Sequence, residues 1–122
     1  MDFHDNKPIY LQLADQVMDD VQSGVVNGGD RLPSVREYAA RTGVNANTVM
    51  RTYTHLQQEG VIYNRRGIGY FYADDAPKIV REMRLNELLD KEIYNFMDRL
   101  LASGITPERF NEIYTEYAAT RS

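Results

Sequence analysis

The chain has 122 residues, 43% of them hydrophobic, enough for one domain, or one small domain with an appendage, to bury an ordinary core without covalent staples. It contains no cysteine, which excludes disulfides, thiolate metal sites and cysteine nucleophiles. A formal net charge of -4 argues against a generic polyanion binder, yet the segment from Arg31 to Arg66 holds six arginines and two acids, a balance of +4, which leaves -8 on the remainder.

The first ten residues, MDFHDNKPIY, are acidic and lack the apolar core of a leader peptide. No run approaches the ~18 apolar residues of a membrane span, so a cytoplasmic chain without membrane contact is expected. His4, between Asp2 and Asp5, is read as a solvated side chain of a frayed terminus and not as a metal ligand. No metal or cofactor is expected elsewhere. Pro8 suits the start of a helix, and Ile9, Leu13, Val17 and Val21, with Ala14 and Met18 beside them, form a helical apolar stripe ending near Ser23 and Gly24. That stripe is read as core, with a dimer contact as the alternative. Gly28 and Gly29 mark a loop leading to Arg31.

Ser34 and Glu37 stand at the spacing of a capping box, which predicts a helix start. Gly43 supplies the left-handed residue that ends this helix, and Asn45 can cap the next, with Val44 and Val49 placed as a hydrophobic staple. Two helices so joined form a helix-turn-helix. On the second, Val49, Tyr53 and Leu56 share one face and pack, whereas Asn47, Arg51 and His55 share another and are free to read something.

Glu59 and Gly60 stop that helix, and Val61 to Tyr63 and Tyr70 to Tyr72 have strand composition on either side of a loop from Asn64 to Gly69. The loop sets Arg65 and Arg66 beside glycines that allow close approach to a phosphate or into a minor groove; a bare hairpin turn is the competing reading. Its G-x-G lies between two strands and is no nucleotide-binding fingerprint.

The stretch Ala73-Asp74-Asp75-Ala76-Pro77 breaks the pattern and is read as a boundary. A long helix is predicted from about Lys78 to Ala102, with Leu85, Leu88, Leu89, Ile93, Phe96, Met97, Leu100 and Leu101 in a wide stripe. Thr106, Pro107 and Glu108 open a further helix carrying Phe110, Ile113, Tyr114 and Tyr117. Such an αα-hairpin cannot enclose its own stripe. It must pack on the rest of its chain or on a second copy, and a two-fold dimer is the favoured reading, with Leu85, Leu89, Ile93, Phe96, Leu100, Phe110 and Tyr114 at the interface.

The stretch LPSVREYAARTGVNANTVMRTYTHLQQEGVIYNRRGIGYFY, with the leading PIYLQL, closely resembles the N-terminal winged-helix domain of the GntR family of bacterial transcription regulators over roughly residues 8 to 73. The resemblance implies DNA contacts from Ser34 and Arg36 at the start of one helix, from Asn45, Asn47, Thr48 and Arg51 on the recognition helix, and from Arg66 and Gly67 in the wing. Arg31 and Arg65 join them as cationic candidates. Chemistry supports the set: arginine can be bidentate to guanine, asparagine to adenine, and serine or threonine can bind phosphate oxygens, although Arg51 can also serve as a phosphate contact alone. Ala46 departs from the larger or cyclic residues of the family pattern, so base preference there is open. The short C-terminal hairpin resembles the small dimeric repressors of the YtrA-like subfamily, with no room for a large effector or aminotransferase-like domain. It leaves space for a small-molecule effector, although no cluster of convergent polar residues marks its pocket.

The expected fold class is therefore mostly α with a small β-hairpin (α+β): a winged helix-turn-helix over residues 1-75, then a two-helix dimerisation region over 76-122. The expected function is a transcription regulator of repressor type that binds an inverted-repeat operator in double-stranded DNA as a homodimer. A winged-helix scaffold for protein contacts without DNA is the alternative. An enzyme is disfavoured, because no Ser/His/Asp arrangement is present and the carboxylates fall on solvated helix faces.

Overall fold

The computed structural model describes residues 7–121, so His4 with Asp2 and Asp5 lies outside the described residues. Its elements are α1 (Ile9–Ser23), α2 (Val35–Thr42), α3 (Ala46–Gln58), β1 (Ile62–Arg65), β2 (Gly69–Tyr72), α4 (Ala76–Glu87), a π-helical turn (Leu88–Glu92), α5 (Ile93–Ala102) and α6 (Pro107–Arg121). The chain divides into one compact unit up to Met83 and a second from Arg84, with the division inside α4.

In the first unit the apolar stripe of α1 is core except at its first residue, Ile9, which is 44% exposed at the helix start. Leu13, Ala14, Val17, Met18 and Val21 are buried with Val49, Tyr53 and Leu56 of α3, Ile62 and Tyr72 of the hairpin, and Ala76 and Val80 of α4. Each large side chain so buried stabilises the fold by about 1.5–3 kcal/mol relative to exposure. Gly24 ends α1 in the left-handed region and donates its N–H to the Val21 carbonyl.

Local chemistry sets α2 and α3. The Ser34 hydroxyl accepts from the Glu37 amide at 3.1 Å, and the Ser34 amide donates to Glu37 Oε1 at 3.2 Å, completing the capping box. These bonds, with Arg31 and Arg41 nearby, hold the Glu37 carboxyl below its ordinary range. Asn45 caps α3 by accepting from the Asn47 amide at 2.8 Å.

The hairpin is longer than its composition suggests. β1 and β2 are antiparallel, and the ladder extends from Ile62↔Tyr72 to Arg65↔Gly69, so Arg65 is a strand residue and only Arg66, Gly67 and Ile68 form the turn. Gly67, at φ 79°, supplies the left-handed residue of this tight turn. Arg31 adds a single bridge to Phe71, which fastens the loop before α2 to the wing.

In the second unit the predicted long helix is interrupted. The Ile93 amide donates to the Leu88 carbonyl five residues back, so a π turn separates α4 from α5. Thr106 caps α6 through its hydroxyl, which accepts from the Arg109 amide at 3.1 Å. No residue described in this unit is buried, although it carries Leu88, Phe96, Met97, Ile113 and Tyr117. Phe96 and Phe110 meet edge to face at 6.4 Å beside an apolar groove of about 440 Å³ between α5 and α6.

Three core phenols give the first unit a base-sensitive stability. Burial raises the hydroxyls of Tyr38, Tyr53 and Tyr72 above the usual tyrosine range, Tyr72 to about 12, with the Asp20 carboxylate adding to the shift at Tyr38 and Tyr72. A raised phenol keeps its proton longer in the folded state than in the unfolded one. Stability is therefore fully present below pH ~10, the value of an unperturbed phenol, and falls as the pH rises towards the folded values. Circular-dichroism melts between pH 8 and 12 are expected to show a falling midpoint above about pH 10, and a flat profile would contradict these shifts.

Candidate nucleic-acid interface

The start of α2, the face of α3 and the wing are tied together by one residue. The buried Tyr53 of α3 donates its hydroxyl to the Pro33 carbonyl at 2.7 Å, one residue before the α2 cap. Its ring also lies 5.0 Å from Tyr70 of β2 and 6.0 Å from Tyr38 of α2. Tyr70 in turn donates to Met50 Sδ of α3 at 3.8 Å. Tyr53 satisfies its own polar end while fixing the spacing of three segments that each carry candidate contacts.

Eight of those candidates are exposed, Arg31, Arg36, Asn45, Asn47, Arg51, Arg65, Arg66 and Gly67, and the other two, Ser34 and Thr48, are half-buried. Their hydrogen bonds restrict what each can do. The Ser34 oxygen is already an acceptor, which leaves its O–H to donate to a phosphate. The Asn45 amide oxygen already accepts from the Asn47 amide, so in Asn45 the paired contact that reads adenine has only the second lone pair of that oxygen to use, whereas its NH2 donors are unengaged among the described residues. Asn47, exposed on the first turn of α3, has no side-chain hydrogen bond among the described residues, so both ends of its amide are available for that contact.

The arginines differ in how they are held. Arg31 donates from Nη2 to the Ile68 carbonyl at 2.7 Å, bracing the wing turn, and a Cβ at Gly69 would come within 3.0 Å of its Nε. Arg65 places Cζ 5.6 Å from the centre of the Phe71 ring on the outer face of the hairpin, beside the stacked pair Tyr63 and Phe71. Arg51 lies over Tyr10 of α1, with Cζ 4.0 Å from the ring centre. Arg41, a further possible phosphate contact by charge alone, lines a 540 Å³ cleft with Asp20, Tyr38 and Tyr72.

Tyr10 and Tyr53 are absent from the contacts expected from sequence. Tyr53 is legible only as an apolar-face residue of α3. Tyr10 falls on the α1 stripe itself, three, four and seven residues before Leu13, Ala14 and Val17, so from sequence it is indistinguishable from a core residue and nothing in the pattern signals its contact with Arg51. Among the described residues no group of His, Cys, Asp or Glu side chains could hold a metal.

A family model described as bacterial regulatory proteins, gntR family, matches residues 9–71. The chain is 40% identical over 110 residues to YhcF, an uncharacterized HTH-type transcriptional regulator of Bacillus subtilis (strain 168), covering 90% of this chain and 89% of the relative. It is 31% identical to the HTH-type transcriptional repressor YtrA of the same organism, covering 98% and 91%. A solved GntR-family transcriptional regulator from Bacteroides thetaiotaomicron superposes with a TM-score of 0.79 at 41% identity, covering 94% of this chain and all of that one.

Proposed function

Since the chain belongs to the gntR family of bacterial regulatory proteins, we propose that it is a transcriptional repressor that binds an inverted-repeat operator in double-stranded DNA as a homodimer, in the bacterial cytoplasm. The relatives and the fold are those of transcription regulators and not of enzymes. No helix among the described residues is long and apolar enough to cross a membrane. The observation that carries the DNA reading is the join at Tyr53, which fixes the α2 start, the α3 face and the wing relative to one another while their donors stay exposed. In a duplex, α3 enters the major groove with Asn47 and Arg51 at base edges, Ser34, Arg36, Asn45 and Thr48 hold phosphates, and Arg65, Arg66 and Gly67 follow the backbone or minor groove. Repression is supported by likeness to a relative named as a repressor. The dimer is supported by the unburied apolar side chains of α5 and α6, together with Leu85 of α4 and Leu89 of the π turn, which a second copy would cover.

Arg51 and Arg66 separate reading from positioning. Arg51→Ala is expected to cost about 1–3 kcal/mol per half-site and to relax preference at one base pair. Arg66→Ala is expected to weaken all duplexes alike, since a phosphate carries no sequence information. Selection of bound duplexes from a randomised pool with each variant distinguishes them. An Arg51→Ala protein with an unchanged sequence profile would make Arg51 a backbone contact.

A further inference from the structure

We infer that Tyr10 is a positioning residue for sequence specificity, a platform on α1 that holds the Arg51 guanidinium in place for base readout. The inference rests on the reading of Arg51 as a base contact. An arginine on an exposed helix face samples many rotamers, and ordering it on binding costs affinity. Here the Arg51 Cζ already lies 4.0 Å from the centre of the Tyr10 ring, and Arg51 makes no ion pair among the described residues, so no carboxylate has to be displaced by DNA. A guanidinium stacks through its planar face and donates through its edge. Stacking on Tyr10 therefore leaves the in-plane N–H groups able to take a bidentate acceptor such as guanine.

Tyr10 is itself held where Arg51 leaves the helix. Its carbonyl accepts from Thr52 Oγ1 at 2.9 Å, and Thr52 is fully buried. Its ring meets His55 edge to face at 6.1 Å with the planes at 86°, so it lies against two side chains one turn apart on α3. The ring is half-buried and is not part of the hydrophobic core cluster. Replacing it should therefore leave the fold intact while freeing Arg51.

Two measurements on the full chain test this. Without DNA, the Arg51 Nε–Hε proton resonance is expected to lie upfield in the wild type and in Tyr10→Phe, which keeps the ring, and to return to its ordinary position in Tyr10→Leu. On a duplex selected by the wild type, Tyr10→Leu is expected to bind about 2- to 5-fold more weakly per half-site, to discriminate less at the base pair that Arg51 reads, and to have no further effect in an Arg51→Ala background. Tyr10→Phe is expected to match the wild type. A resonance indifferent to Tyr10→Leu would overturn the platform, and so would an equal loss with and without Arg51. If the upfield resonance is present but Arg51→Ala leaves the sequence profile unchanged, the base-reading assignment of Arg51 is what has failed, and the specificity role of Tyr10 falls with it.

Discussion

A chain cut after Met83 is expected to sediment as a monomer, to keep the fold of the first unit, and to bind its inverted-repeat duplex about 10²- to 10⁴-fold more weakly than the full chain. Two half-sites bound by tethered protomers gain from effective concentration, and the cut removes the tether without touching any candidate DNA contact. The unit up to Met83 holds all the buried core residues, so it retains its own reason to fold. The position of the cut matters. Composition changes near Ala76, but Val80 is fully buried, and Ile79 and Met83 pack against the same core. A chain ending at Ala76 loses those side chains and is expected to be less stable by at least about 2 kcal/mol, read as a lower melting midpoint. Sedimentation of the full chain completes the comparison, and a monomer at micromolar concentration would contradict the dimer.

The features legible in the sequence are those whose physics is local. A serine three residues before a glutamate, a glycine at the end of an apolar repeat and an asparagine before the next repeat each satisfy backbone groups within one turn. Ser34, Gly43 and Asn45 make those bonds at the positions their spacing implies. The stripe of α1 is legible for the same reason: a period of 3.6 residues places its side chains on one face whatever they pack against. Contacts that depend on the fold are not legible. Nothing in the spacing of Tyr10 and Arg51, or of Arg31 and Ile68, announces that one lies on the other or donates to the other. The hydroxyl of Tyr53 is likewise invisible in a pattern that treats tyrosine as apolar, yet it joins α3 to the turn before α2. The π turn at Leu88–Glu92 escapes because its residues fit an α-helical period equally well. The strand assignment of Arg65 escapes because Asn64 and Arg65 have turn composition but are paired across a three-residue turn. Of the candidate interface, then, the residue types and their exposure are legible, while the contacts that hold them in place are not.

The second large expected effect is on salt. If about four arginines per protomer, Arg31, Arg36, Arg65 and Arg66, reach phosphates, a dimer neutralises about eight, and the logarithm of the binding constant should fall against the logarithm of salt concentration with a slope near -7. Between 50 and 200 mM salt that is a loss of about 10⁴-fold. Arg41 is outside this count because it lines the cleft beside Asp20 and Tyr38. The net charge of -4 does not cancel the effect, since counterions are released where phosphates are contacted, but it should keep non-specific binding weak. The decisive measurement is therefore a salt titration of the full chain on a duplex selected from a randomised pool, with random duplex as competitor. A slope near -7 with a preference on the order of 10³ or more at physiological salt is the expected result; a shallow slope with no preference for any duplex would contradict sequence-specific DNA binding.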